Sequence, residues 1–170
     1  MSTTYTVSSA DVILCDINST LSSTTLTIPT YSTYTGGLAF NFSPGATVTR
    51  QSNKSTYVIQ KPGVPVGYEI GMGERLINIT TTIKASTSTY ASGIFHSLTD
   101  LRYLAHNQYD KQATVGSTRA SYGVVQLYYS ADGISTALIP VMFKSLWVEQ
   151  VSGKGSMFDI RVQLSEVVSP

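Results

Sequence analysis

The clearest signal along the chain is a change of hydrophobic period near its middle. Between Arg75 and Lys84, Ile77, Ile79, Thr81 and Ile83 share one parity, while Asn78, Thr80, Thr82 and Lys84 share the other. Strict alternation of this kind predicts a strand with one buried side. Beyond it, Tyr90, Ile94, Leu98, Leu101 and Ala105 recur at spacings of 4, 4, 3 and 4, with Phe95 and Leu104 beside the stripe. That period predicts one amphipathic helix over about 88–106. Ser86, Thr87 or Ser88 offers a cap for its start, and Asn107 with the polar run after it offers an end.

The last third returns to period two. Val125, Leu127 and Tyr129 alternate with Val124, Gln126 and Tyr128 up to the turn Ala131-Asp132-Gly133. Ile139, Val141 and Phe143 share one face, but Leu146 and Val148 continue on the opposite parity, which predicts a β-bulge near Lys144-Ser145. After the turn Ser152-Gly153-Lys154-Gly155, Phe158, Ile160, Val162 and Leu164 alternate with Asp159, Arg161, Gln163 and Ser165, an apolar face backed by a polar one. The three segments read as an antiparallel meander with one dry and one wet side.

In the first third, Val12 to Ile17 contains the apolar run Val12-Ile13-Leu14-Cys15, Leu26-Thr27-Ile28 ends at Pro29, and Tyr57-Val58-Ile59 stops before Lys61-Pro62-Gly63. These read as short strands and turns. The fold class expected is mainly β: an antiparallel β-sandwich or partial barrel with one flanking helix, in a single domain over 1–170. No charge occurs from Ile17 to Thr49, and 29–49 reads as an extended Ser/Thr-rich loop or arm. Tyr31, Tyr34, Phe40 and Phe42 on that arm are candidates for contact with a neighbouring subunit, where absent charge lowers the cost of desolvation.

Composition strengthens the assembly reading. Only 12% of residues are charged, with 42% hydrophobic, 11 Tyr and 1 Trp. So low a charge leaves a monomer poorly defended against association. The formal net charge of +1 is spread along the chain, without the basic stripe that duplex binding needs. The N-terminus has no basic segment followed by an apolar run, so no signal peptide is expected. No apolar stretch reaches membrane-spanning length. Asn53-Lys54-Ser55 and Asn78-Ile79-Thr80 fit the glycosylation sequon, as Ser/Thr-rich chains do by chance.

Catalytic chemistry finds little footing. His96 and His106 are the two histidines, and on one helix they would lie about 15 Å apart along the axis, too far to share a proton or a metal. His96 and Asp100 read as an ordinary helix-surface pair. Cys15 in its apolar run reads as an inert core thiol. Gly71-Met72-Gly73-Glu74-Arg75 leads into a strand instead of opening a helix, so it is no phosphate loop. No enzyme, cofactor or metal site is expected.

The order of strands, one long strand, a single helix and a closing meander resembles the tail-tube superfamily of tailed phages. That family includes tail tubes, tube initiators and distal-tail or baseplate rings. The resemblance is carried by Gly73 to Ile79, the helix Tyr90 to His106, and Ser145 to Gln150 through Gly155 to Ile160. It covers about half the chain as a pattern, without a diagnostic motif, and leaves the N-terminal third unmatched. It implies a virion tail protein made in the host cytoplasm. Hexameric rings would join their strands around a lumen that DNA crosses transiently during genome ejection, the helix would lie outside the sheet, and long loops would bridge to neighbouring tail proteins. Asp159, Arg161 and Gln163 would then face the lumen. The rival expectation is a Ser/Thr-rich adhesin or carbohydrate-binding β-sandwich module using the Tyr31–Tyr34 loop.

Overall fold

The computed structural model describes residues 2–29, 38–61, 64–85, 96–106, 124–130 and 137–167, with backbone alone at 53–61, 64–72 and 106. Among the described residues, ten strands and one helix follow in the order β1 (Ser2–Thr6), β2 (Val12–Cys15), β3 (Thr20–Ser22), β4 (Thr25–Pro29), β5 (Ala39–Asn41), β6 (Thr47–Lys61), β7 (Val64–Lys84), α1 (Leu98–His106), β8 (Val124–Tyr129), β9 (Ile139–Gln150) and β10 (Met157–Glu166). They form a three-stranded sheet, β1-β4-β3, and a seven-stranded sheet, β5-β2-β8-β9-β10-β7-β6. All pairings are antiparallel, and the large sheet ends at β5 and β6 without closing into a barrel. The architecture is a mainly-β sandwich with one helix.

Alternation decides which layer each side chain joins. One face of the large sheet contributes Leu14, Phe40, Ile77, Ile79, Leu127 and Ile160, among others, to the main core, and α1 covers it with Leu101 and Leu104. The opposite face at the β5-β2-β8 end meets the small sheet: Ile13, Cys15, Ala39 and Tyr128 pack against Val7, Leu26 and Ile28. Tyr128 and Tyr129 therefore serve opposite layers, as their neighbouring positions on one strand require. The bulge falls where the parity breaks, because Gln163 pairs with Ser145 and Leu164 with Phe143, leaving Lys144 over. That extra residue lets Val141, Phe143, Leu146 and Val148 all reach the main core. The β9–β10 turn uses Gly153 at φ 73°, a conformation glycine adopts without steric cost.

Three expectations need correcting. The described helix begins at Leu98, with Ser97 in the capping position and Asp100 in the first turn, where an acid suits the helix dipole. Tyr90 and Ile94 lie outside the described residues, and the buried line runs through Leu101 and Leu104, with Leu98 and Ala105 half-buried. His96 precedes the helix and Asp100 is 4% exposed, so they are not a helix-surface pair. Finally, 38–49 is no arm. Phe40 and Phe42 are fully buried, with rings 4.9 Å apart edge to face, and the Phe42 amide donates to the Val12 carbonyl at 2.8 Å. Burial within their own chain leaves these two rings no surface for a neighbour. Tyr31 and Tyr34 fall outside the described residues.

The segment that does project is the β6–β7 hairpin. β10 stops pairing with β7 at Leu76, whereas β6 and β7 continue through Tyr57↔Tyr68 and Ile59↔Val66 to Lys61↔Val64. Eight register pairs lie beyond Ser52↔Arg75, a ribbon of about 25 Å at the usual rise per residue.

Candidate functional site

Away from the small sheet, the second face of the large sheet is open over β9, β10, β7 and β6, and its side chains form regular rows. Register aligns Thr47, Thr80, Arg161 and Trp147 across the four strands, then Thr49, Asn78, Gln163 and Ser145 one step along. A third row holds Thr82, Asp159 and Glu149. These polar parities alternate with Ile79, Ile160 and Val162, which anchor the same strands in the core beneath. The sheet is thus a rigid floor whose outward groups are fixed in spacing by backbone pairing.

Contacts within the rows hold the side chains in place. The Gln163 amide Nε2 donates to Asn78 Oδ1 at 3.1 Å. The Thr82 hydroxyl donates to the Asp159 carboxylate. The Arg161 guanidinium lies 4.6 Å from the Trp147 ring centroid, a cation–π pair at an exposed site. Trp147 is 40% exposed and Met142 38%, the two exposed large hydrophobics among the described residues, and both stand on β9. Two shallow depressions of about 290 and 390 Å³ lie on this face and share Thr80 and Arg161 in their linings.

Asp159, Arg161 and Gln163, singled out by alternation in the last strand, therefore do lie together on the open face. The partners Trp147, Asn78 and Thr80 belong with them. The parity of Leu146 and Val148 already sends Trp147 outward, but only the strand order β9-β10-β7 brings it beside Arg161.

Charges gather at the margins of the sheet. Lys144, the bulge residue, pairs with Glu74, whose carboxyl is held below its ordinary pKa chiefly by hydrogen bonding to Lys144 and then Ser165. On the core side, Glu166 meets Arg50 at 2.6 Å and Arg75 at 3.3 Å. Hydrogen bonding to Glu166 raises the Arg50 pKa.

The remaining chemistry-bearing groups are engaged in structure. Cys15 is fully buried, its thiol donates to the Gln126 carbonyl at 3.6 Å, and burial pushes its pKa up to about 12, far from a reactive thiolate. Asp11 accepts from the Ser8 amide at 2.7 Å, from the Asn41 side chain at 2.9 Å and from the Tyr5 hydroxyl at 3.4 Å. Burial, reinforced by Asp11, raises the Tyr5 pKa. His96 places Nε2 2.8 Å from the Ser43 carbonyl, and burial lowers its pKa against the opposing pull of that carbonyl. Among the described residues, no three His, Cys, Asp or Glu side chains gather to hold a metal ion, and no helix is long and apolar enough to cross a membrane. No protein-family model matches the chain, and no curated protein sequence shows significant similarity to it.

Proposed function

We propose that the chain is a structural subunit of a viral tail, a tube or baseplate-ring component that self-assembles into a ring, hexameric in the family it resembles, around a DNA-conducting lumen. The observation that carries this reading is the β6–β7 ribbon. Its eight outer pairs have no third strand among the described residues. A lone two-stranded ribbon is marginally stable in water, and a surface on another molecule would support its length of about 25 Å. A ribbon bridging to the next ring supplies one.

Two further features support it. At the sheet's end, β6 presents an edge from Thr47 to Ser52 that no described strand pairs, and unprotected edges favour strand addition from another copy. The open face is polar, carries both signs of charge and is backed by a continuous core, as a wall between protein and water-filled channel requires. In this reading Asp159, Arg161 and Gln163 line the channel.

The test compares the full chain with a variant in which residues 54–72 are replaced by a two-residue Asn-Gly turn. Light scattering and electron microscopy are expected to show rings or tubes of the full chain. The variant is expected to keep a cooperative urea-unfolding transition and lose stacking. A full chain that stays monomeric at every concentration and never joins tail particles overturns the reading.

A further inference from the structure

The open face with its two depressions has a chemistry of its own, and we propose that it binds a neutral oligosaccharide. The site is centred on Trp147 and Arg161 and runs across β9, β10, β7 and β6, about 14 Å at the usual strand spacing. This inference does not depend on the ring reading, since a face lining a water-filled channel stays open to a small solute.

Four properties converge on that ligand class. First, Trp147 is 40% exposed among polar neighbours, with the Arg161 guanidinium 4.6 Å from its ring centroid. An exposed indole offers apolar area for the C–H face of a pyranose together with a polar N–H. Second, the groups around it are amides and hydroxyls: Asn78, Gln163, Thr80 and Ser145 line the larger depression. Amides and hydroxyls donate and accept at once, which matches vicinal sugar hydroxyls. Third, the charge is balanced. The lining of the two depressions includes one cation, Arg161, and one anion, Asp159. A polyanion would find no surplus of cations to release its counterions, so nucleic acid and acidic glycans are disfavoured. Fourth, the groups stand on paired strands with Ile79, Ile160 and Val162 packed behind them, so little order remains to be gained on binding.

The experiment uses the full chain on an array of neutral and acidic oligosaccharides, followed by calorimetry on any neutral hit. Expected is saturable binding to a neutral oligosaccharide, insensitive to salt. Trp147→Ala, and separately Asn78→Ala with Gln163→Ala, should weaken it at least tenfold. Thr4→Ala on the distant small sheet should leave it unchanged, and circular dichroism should show all variants folded. The proposal is overturned by no binding to any neutral oligosaccharide at millimolar concentration. It is equally overturned by binding that Trp147→Ala leaves intact, or by binding confined to acidic chains and abolished by salt. A monomer that binds sugar refutes the ring alone, and a ring that binds none refutes this site alone.

Discussion

The two halves of the seven-stranded sheet solve different problems. At the β5-β2-β8 end both faces are covered, one by the main core and one by the small sheet, so all four residues of Val12–Cys15 and all three of Ala39–Asn41 are buried. Across β9-β10-β7-β6 only one face is covered, and burial alternates residue by residue, as in Ile79 against Thr80 or Ile160 against Arg161. A strand covered twice must be apolar or have its polar groups hydrogen-bonded inside, as Asn41 is to Asp11 at 2.9 Å, whereas a strand covered once can carry function on its other parity without weakening the core. The covered half holds the fold together, and the open half is where a partner, a channel or a ligand can be met.

The largest expected effect lies where cover is complete. Phe40→Ala removes a fully buried ring packed against Phe42 and should cost about 3–5 kcal/mol in urea unfolding. A sharper break of the comparison uses adjacent residues of one strand. Ile79→Ala should cost about 2–5 kcal/mol, because it opens a cavity in the main core. Thr80→Ala, one position along and facing out, should stay within about 0.5 kcal/mol of the parent. Equal losses at both positions would mean that the outward face is itself covered.

This contrast also marks what was legible in the sequence. Period two at Ile77–Ile83 and Phe158–Leu164 revealed the one-sided strands, and the parity switch at Lys144 revealed the bulge, because those signals are local. In the covered half β2 and β8 were legible as strands, but the stretch of Phe40 and Phe42 was misread for a physical reason. Phe40 and Phe42 sit in a stretch without charge, which looks the same whether the cover comes from another subunit or from the chain's own β2, β8 and α1. The ribbon was missed because Pro62, Gly63, Pro65, Gly67 and Gly71 punctuate it as turns do, so β6 and β7 read as separate short pieces. The start of α1 was read too early because Tyr90 and Ile94 carry the spacing of Leu98 and Leu101 backward, yet His96 and Ser97 are not helical and His96 lies against the Ser43 carbonyl. Of the open face, the last strand gave three residues. The grouping with Trp147 and Asn78 depends on strand order, which periodicity does not encode.

A middle-sized effect separates the small sheet's attachment from the open face. Asp11 ties the β1–β2 connection to Asn41 of β5 and is 7% exposed. Asp11→Ala strands the Ser8 amide and the Asn41 side chain and should cost about 1–3 kcal/mol by denaturant titration. The Trp147–Arg161 pair should matter less to stability, since both residues are exposed. Arg161→Ala should lower it by about 0.5–1 kcal/mol, the range of exposed cation–π contacts. A much larger loss would place Arg161 in the covered class and remove the distinction between the halves.

The smallest expected effect concerns how firmly α1 covers the dry face, and it reads out through pH. His96 sits just ahead of the helix, half-buried, with Nε2 on the Ser43 carbonyl between β5 and β6. Burial lowers its pKa in the folded chain, while the unfolded chain titrates near the ordinary value of about 6.5. Between the lowered and the ordinary value the unfolded state therefore binds more protons. Its stabilising contribution is complete above the ordinary value and is lost as pH falls through the folded one. Unfolding by urea from pH 7.5 downward should show stability declining as the pH drops below about 6.5. In His96→Gln, which keeps a side-chain donor, that part of the slope should vanish while stability at pH 7.5 changes little. An identical slope in both proteins would mean that the proton is taken up elsewhere. The cover of α1 over the dry face would then rest on Leu101 and Leu104, with Leu98 and Tyr103 packed beside them.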